Sequence, residues 1–280
     1  MHLGNGAVTP ACAVYALAVA GVGMGVGAIL ARKTGAPEPK KFALATALIF
    51  AAQTFNVPII PAASGHVLGG FLLASLFGGG WGAIGMTLIL ALQSIVFGDG
   101  GLMTLGCNVV NMAILPCLVV YPLWTRMMGD ASGRQQSITI AAGAFLSVMV
   151  ASGVCAVEVL SQAVARANEL RILGLMLGVH AVVGVIEAIF TVLALAWLSN
   201  RAGAVSGGIA VIALIVAAAL GASPWPDGLE LTLARFSLNE GHSSGLLQDY
   251  TLFTVLAAAT GLAFVAASIS TISRKRENHA

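Results

Sequence analysis

The stretch ILGLMLGVHAVVGVIEAIFTVLALAWL, residues 172–198, decides the class of fold. It holds only two ionisable side chains, His180 and Glu187. About 20 apolar residues cross a hydrocarbon core of about 30 Å at about 1.5 Å per residue, so this run predicts a transmembrane helix. Eight further runs read the same way: Ala11–Leu30, Phe42–Ile60, Val67–Phe77, Trp81–Phe97, Leu102–Trp124, Ile138–Val164, Val205–Ala222 and Thr251–Ile272. None alternates with period two, so helices are expected and a barrel is not. Of 280 residues, 58% are apolar and 9% charged, and the mean hydropathy is +0.95. A soluble domain has roughly 45–50% and 25%. Too few charges remain to cover a water-exposed surface. That excludes an ordinary soluble enzyme and a disordered chain, and a net charge of +2 gives no footprint for nucleic acid.

Lys and Arg favour cytoplasmic loops. With the N-terminus outside and nine crossings, Arg32, Lys33, Lys40, Lys41, Arg126, Arg134, Arg201, Arg274, Lys275 and Arg276 fall inside. Only Arg166, Arg171 and Arg235 fall outside. The short run Val67–Phe77 is kept as a crossing, because a re-entrant loop would invert the later loops and erase this bias. Gly78-Gly79-Gly80 reads as a helix break after it. Residues 1–10 carry no Lys or Arg, so a cleaved signal peptide is not expected. Gly21-x-Gly23-x-Gly25-x-Gly27 reads as close helix packing. Residues 223–249 form the longest polar stretch and mark the best domain boundary. The expected architecture is an all-α polytopic membrane protein of about nine transmembrane helices, N-terminus outside and C-terminus inside.

The chemistry begins at Met1-His2. A bulky second residue predicts that the initiator Met stays and its amine is free. That amine, the backbone nitrogen of His2 and the His2 imidazole lie within reach of one ion and close two chelate rings. A deprotonated amide nitrogen is a strong-field donor and suits planar Ni(II) or Cu(II), while nitrogen donors in general also suit Co(II) and Zn(II). Equally, His2 reads as a polar residue at a frayed end. His66 lies in the loop Ser64-Gly65-His66-Val67-Leu68-Gly69-Gly70, outside like Met1, and could fill a fourth position. Equally, it reads as a loop histidine bonded to a carbonyl. Ser64, Asp99 in Gly98-Asp99-Gly100, and Asn108 and Asn111, which share a helix face, are expected to brace these loops. His180 and Glu187 share a helical face, and either form a structural polar pair or border a translocation path. Glu158 is open in the same way. Cys12, Cys107, Cys117 and Cys155 read as small hydrophobes. Without a Walker A motif, HExxH or a Ser/His/Asp array, no enzyme is expected.

Met1-His2-Leu3, the Ser64–Gly70 loop, and Phe97-Gly98-Asp99-Gly100-Gly101 followed by Leu105-Gly106-x-Asn108-x-x-Asn111-Met112-Ala113 together resemble the CbiM/NikM family. These are the substrate-binding membrane (S) components of energy-coupling-factor cobalt/nickel transporters. His180-Ala-Val-Val-Gly184-Val-Ile-Glu187-Ala188 is similar to that family's late-helix motif. Pro226-Asp227-Gly228-Leu229-Glu230 resembles the PDGLE segment of the small N-type partner, here fused. The resemblance implies a metal-binding domain over 1–204 with seven spans and a two-helix appendage over 205–280 around an outer loop at 223–249. It implies a metal site of the Met1 amine, the His2 backbone nitrogen and imidazole, and the His66 imidazole. Asp227 and Glu230 would lie in a gating or loading loop. Ni(II) or Co(II) would be the transported substrate, with no organic cofactor. The partners would be a transmembrane T component and two ATPase subunits, in the cytoplasmic (inner) membrane. Gly4-Asn5-Gly6 departs from the family's commoner opening, and so does Asn56-Val-Pro-Ile-Ile-Pro-Ala before Ser64. Two other classes remain open at this point: an S component for an organic vitamin, and a metal-independent structural membrane protein.

Overall fold

The computed structural model describes residues 1–129, 132–162, 165–198, 209, 213, 223–242, 245–246 and 252–277. Among these, six helices are long and apolar enough to cross a membrane: Pro10–Thr34, Gly70–Phe97, Leu105–Met128, Gly133–Val159, Arg166–Leu198 and Val255–Glu277. The chain is a multi-pass helical membrane protein. Helix α1 is Pro10–Thr34, capped by the Thr9 hydroxyl with Pro10 at its start. Helix α2 is Pro39–Gln53, capped by the Glu38 carboxylate, which accepts from the Lys40 and Lys41 amides at 3.0 and 2.8 Å. Glu38 is acidic and next to a helix N-terminus, where the helix dipole favours it.

The expected span Phe42–Ile60 is corrected here. Its helix ends at Gln53, and the chain then forms an antiparallel hairpin of β1 (Val57–Ile60) and β2 (Ala63–Gly65). Pro58 and Pro61 explain this. Proline lacks the N–H that a helix needs and disfavours helical backbone in the residue before it. The hairpin carries His66 into the interior directly after β2.

Helix α3 is Gly70–Leu92, broken at Gly78, whose φ of 78° and ψ of 161° are not helical. The chain reverses there. A Cβ on Gly82 would stand 2.7 Å from the Ala74 nitrogen, and one on Gly85 would stand 3.3 Å from the Leu73 side chain. In a straight helix those pairs would be roughly 12 and 18 Å apart. The Gly78–Gly80 break therefore separates two antiparallel limbs, and a positive φ there asks for glycine. At the turn, the Trp81 indole donates to the Ala31 and Gly35 carbonyls at 3.1 and 2.9 Å, tying it to the end of α1.

A continuous helical run follows: α4 (Leu105–Val109), a π-helical stretch Val110–Val120 containing Pro116, and α5 (Tyr121–Met128). Helices α6 (Gly133–Val159) and α7 (Glu169–Leu198) form the most extensive seam between helices. Helix α8 is Gly228–Arg235 and α9 is Leu252–Glu277. Helix α9 lies along α2. Its Arg274 donates to the Pro37 carbonyl at 2.9 Å. The run Val205–Ala222, apart from 209 and 213, lies outside the described residues. Of the α1 glycines, Gly23 faces Ile114 and Gly27 faces Leu118 and Ala83, whereas Gly21 and Gly25 meet nothing within 4 Å. Close packing thus uses one of the two glycine pairs. The four cysteines are unpaired, three of them fully buried.

Two ends of the bundle differ in charge. Arg32, Lys33 and Arg274 to Arg276 gather near the α1–α2 connection. Met1, His66, Asp99 and Asp227 gather at the other end.

Candidate metal centre

The first residues are not a frayed tail. Met1 is 2% exposed and Leu3 0%. The Leu3 N–H donates to Asn108 Oδ1 at 2.9 Å. The Leu3 carbonyl accepts from Asn108 Nδ2 at 3.2 Å, Thr104 Oγ1 at 2.5 Å and the Gly101 N–H at 2.8 Å. One amide side chain thus clamps both polar groups of one residue, as loop bracing requires. Asn5 exchanges two main-chain bonds with His242, at 2.8 and 2.9 Å. Gly100, at φ 84°, lies against both Asn108 and His2, and a Cβ there would meet Asn108 at 2.7 Å.

The Met1 amine lies 2.5 Å from Asp227 Oδ2 and 3.1 Å from His66 Nε2. His66 Nδ1 donates to its neighbour's carbonyl, on Val67, at 2.9 Å. That bond fixes the tautomer, leaving the Nε2 lone pair facing the amine. The two readings of His66 are therefore compatible, one ring nitrogen serving each. The His2 ring stacks on His66, with centroids 5.2 Å apart and planes at 21°. His2 Nδ1 lies 3.2 Å from Asp99 Oδ1. Beside the amine is a cavity of about 10 Å³, bordered by Gly65, His66, His180 and Asp227. That volume matches a single water or ion.

Burial pushes the His66 pKa down to about 3, and the adjacent ammonium adds to the effect. Burial likewise lowers that of His2. Both rings are neutral, the form that binds metal. For the amine, burial works downward, but Asp227 outweighs it and holds the pKa above its ordinary 8.0. Burial would raise the Asp227 carboxyl, yet the ammonium and His66 hold it well below the usual range.

Asp227 is also the N-cap of α8. Its Oδ1 accepts from the Leu229 and Glu230 amides at 2.8 and 2.9 Å, and Glu230 Oε2 accepts from the Asp227 N–H at 2.8 Å. This capping box leaves Oδ2 for the amine. Ser64 joins the same segment to the hairpin: its N–H donates to the Pro226 carbonyl and its hydroxyl to the Trp225 carbonyl, at 2.8 and 2.7 Å. Glu187, 0% exposed, accepts from the Leu68 and Gly69 amides at 2.7 and 2.8 Å. It holds the His66 loop in place.

Two expectations are corrected. His180 and Glu187 are not a pair: His180 Nδ1 donates to the Met176 carbonyl one turn back, at 2.8 Å, and its ring edge abuts Gly228. Seven residues set the two about 10 Å apart along the axis. Asn111 does not brace a loop. Lying one turn deeper than Asn108, it donates to Glu158 Oε2 at 2.6 Å.

The family described as "Cobalt uptake substrate-specific transmembrane region", CbiM, matches residues 2–205. The chain belongs to this family. A protein of Archaeoglobus fulgidus, named provisionally as the fused nickel transport protein NikMN, is 29% identical over 272 residues, covering 90% of this chain and 88% of the relative. That likeness extends past residue 205 into the segment that holds Asp227. The cobalt transport protein CbiM of Salmonella typhimurium is 32% identical over 109 residues, 39% of this chain and 42% of its own. Among solved structures, a truncated transition metal transporter superposes with a TM-score of 0.62 at 26% identity, covering 71% of this chain and 98% of that one.

Among the described residues, no three His, Cys, Asp or Glu side chains converge as a metal site. Sequence reasoning missed the direct contact of Asp227 with Met1. The DGLE pattern signals a helix start, but nothing in it says which group the second carboxylate oxygen meets. It also missed two buried amides aligned on the His66 loop: Gln53 Nε2 donates to the Leu68 carbonyl at 2.6 Å, and Gln93 Nε2 donates to Gln53 Oε1 at 2.9 Å.

Proposed function

We propose that the chain is the metal-capturing S component of an energy-coupling-factor importer for Ni(II) or Co(II). The observation that carries this reading is the buried contact of the Met1 amine with His66 Nε2 beside an ion-sized cavity, with the His2 ring stacked on His66. The named relatives transport nickel or cobalt, which supports the same substrate class. The ligands would be the Met1 amine, the His2 amide nitrogen and Nδ1, and His66 Nε2. Of the two His2 ring nitrogens, only Nδ1 closes a six-membered ring with its own amide nitrogen. Four nitrogens in a plane suit Ni(II) and select by geometry.

In this reading the core spans 1–204, with seven crossings, and the appendage 205–280 adds two. The N-terminus lies outside the cytoplasmic membrane, and the basic α1–α2 connection faces inward. A T component and two ATPase subunits supply the energy. Asp227 and Glu230 close the outer side, because their segment bonds both the amine and the hairpin.

The test is metal content and proton release in detergent. One Ni(II) or Co(II) should bind per chain. The amine is an ammonium at neutral pH, and the His2 amide must also lose its proton. Binding should therefore release about two protons per ion, and affinity should weaken as the pH falls. An absence of binding, or binding without proton release, rejects the terminal chelate.

A further inference from the structure

Three of the four proposed donors belong to the terminal dipeptide, and closing two rings through its own backbone keeps those three near one plane. The fourth, His66, comes from a separate segment. Whether all four nitrogens are coplanar therefore depends on where the His66 loop stands relative to the terminus. A buried line of amides runs between these two segments.

Gln53 is the last residue of α2, and Gln93 opens the π-helical run Gln93–Phe97 after α3. They are 2% and 0% exposed. Gln53 Nε2 donates to the Leu68 carbonyl at 2.6 Å, and Gln53 Oε1 accepts from Gln93 Nε2 at 2.9 Å. A carbonyl only accepts, so the Leu68 end fixes how both amides are turned. The main-chain carbonyl of Gln93 accepts from the Gly98 N–H and, at 3.1 Å, from the Asp99 N–H. One end of the line is thus the Leu68 peptide, two residues after His66, whose N–H is already held by Glu187. The other end is the turn whose Asp99 carboxylate lies 3.2 Å from His2 Nδ1 and whose Gly101 N–H holds the Leu3 carbonyl. Phe50 and Phe97, each about one turn from its glutamine, pack beside the line with centroids 5.9 Å apart. The amide bonds are buried in a low dielectric, which strengthens them.

Stability alone does not ask for these two residues. Gln93 Oε1 is buried and has no hydrogen-bond partner among the described residues. An apolar pair of similar shape would avoid the cost of burying that acceptor.

We propose that Gln53 and Gln93 are positioning residues that set the selectivity for the ion. They hold the His66 loop and the terminus at the spacing that keeps four nitrogens in one plane. This rests on the metal-capture reading above. Ni(II) gains from a planar set of nitrogens. Zn(II) has no d-electron preference and takes four ligands as a tetrahedron. With the line cut, His66 can leave the plane, and Ni(II) loses a stabilisation that Zn(II) never had.

The experiment measures Ni(II) and Zn(II) affinity separately on the full chain in detergent, with the magnetism of the bound Ni(II). Native protein should hold Ni(II) in its planar, diamagnetic form. Gln93→Met removes the amide, and Gln93→Asn withdraws it by one methylene. Each should weaken Ni(II) binding roughly 10–100-fold, change Zn(II) binding far less, and leave any bound Ni(II) paramagnetic. The line acts as one unit, so Gln53→Met combined with Gln93→Met should lose no more than the worse single variant. Equal weakening of both ions would make the glutamines structural and overturn the proposal. Unchanged Ni(II) affinity would overturn it too, as would losses that add. If Gln93→Met does not fold, Gln93→Asn decides by the same ratio. Native protein that binds no Ni(II) would instead overturn the metal-capture reading beneath.

Discussion

One residue added before Met1, or acetylation of its amine, should abolish metal binding. The amine is fully buried, with Asp227 Oδ2 at 2.5 Å and His66 Nε2 at 3.1 Å. The space beside it is about 10 Å³, which cannot take another residue. Extension also makes His2 the third residue, so the terminal amine and the His2 amide nitrogen no longer share a five-membered chelate ring. Acetylation keeps the register but removes the lone pair. Loss of an orienting group alone costs roughly 10–100-fold in affinity, so loss of a donor should exceed roughly 100-fold. Elemental analysis after Ni(II) loading gives the readout, and hydrogen exchange at Leu3 and Asn5 shows whether the main-chain clamp still forms. If an acetylated chain keeps its clamp and binds one ion as tightly as the free amine, the chelate reading is wrong.

Replacing Asp227 should loosen the junction between the terminus and the 223–242 segment. Two substitutions separate its two roles. Asp227→Asn keeps a good N-cap for α8 but leaves the buried ammonium without its partner. Breaking a buried pair in this way costs about 3–5 kcal/mol. Asp227→Ala removes the cap as well, and should cost about 1 kcal/mol more. Hydrogen exchange of the Asn5 and His242 amides, which bond each other across this junction, measures the opening free energy. Equal protection in native and Asp227→Asn protein would show that the ion pair contributes nothing there.

Most of the helical framework was legible from composition, because a 27-residue run with two ionisable groups has few alternatives in water or lipid. The reversal at Gly78 was legible too, since three glycines interrupt an otherwise apolar run. The hairpin after Gln53 was not. Its strands are short and sit inside a run whose hydropathy resembles a helix, and only Pro58 and Pro61 argue otherwise. At the site, Met1, His2 and His66 could be grouped once the crossings put them on one face. Asn108 bracing Leu3 followed from the same topology, whereas Asn111, three residues on, turned out to serve Glu158. Asp227 was legible as a loop residue only. Its contact with residue 1 spans the whole chain, and no local pattern encodes it. Gln53 and Gln93 are amides inside apolar helices with no motif spacing, so their alignment emerges only from packing.

The short limb of α3 sets the depth of the site. Residues 70–77 rise only about 12 Å above the turn at Gly78, against a hydrocarbon core of about 30 Å. In the proposed topology, with the Gly78 turn near the inner face and the terminus open to the outside, His66 would lie part of the way across the voltage drop, where the transmembrane voltage does work of about 2.3 kcal/mol per unit charge per 100 mV for full passage. A bare divalent ion moving to that depth would make capture strongly voltage-dependent. The proposed chelate cancels this, because about two protons leave outward for each ion that arrives. Loading is then electroneutral, and a potential imposed across proteoliposomes should leave the capture affinity unchanged. A steep voltage dependence would mean that the ion arrives without displacing those protons.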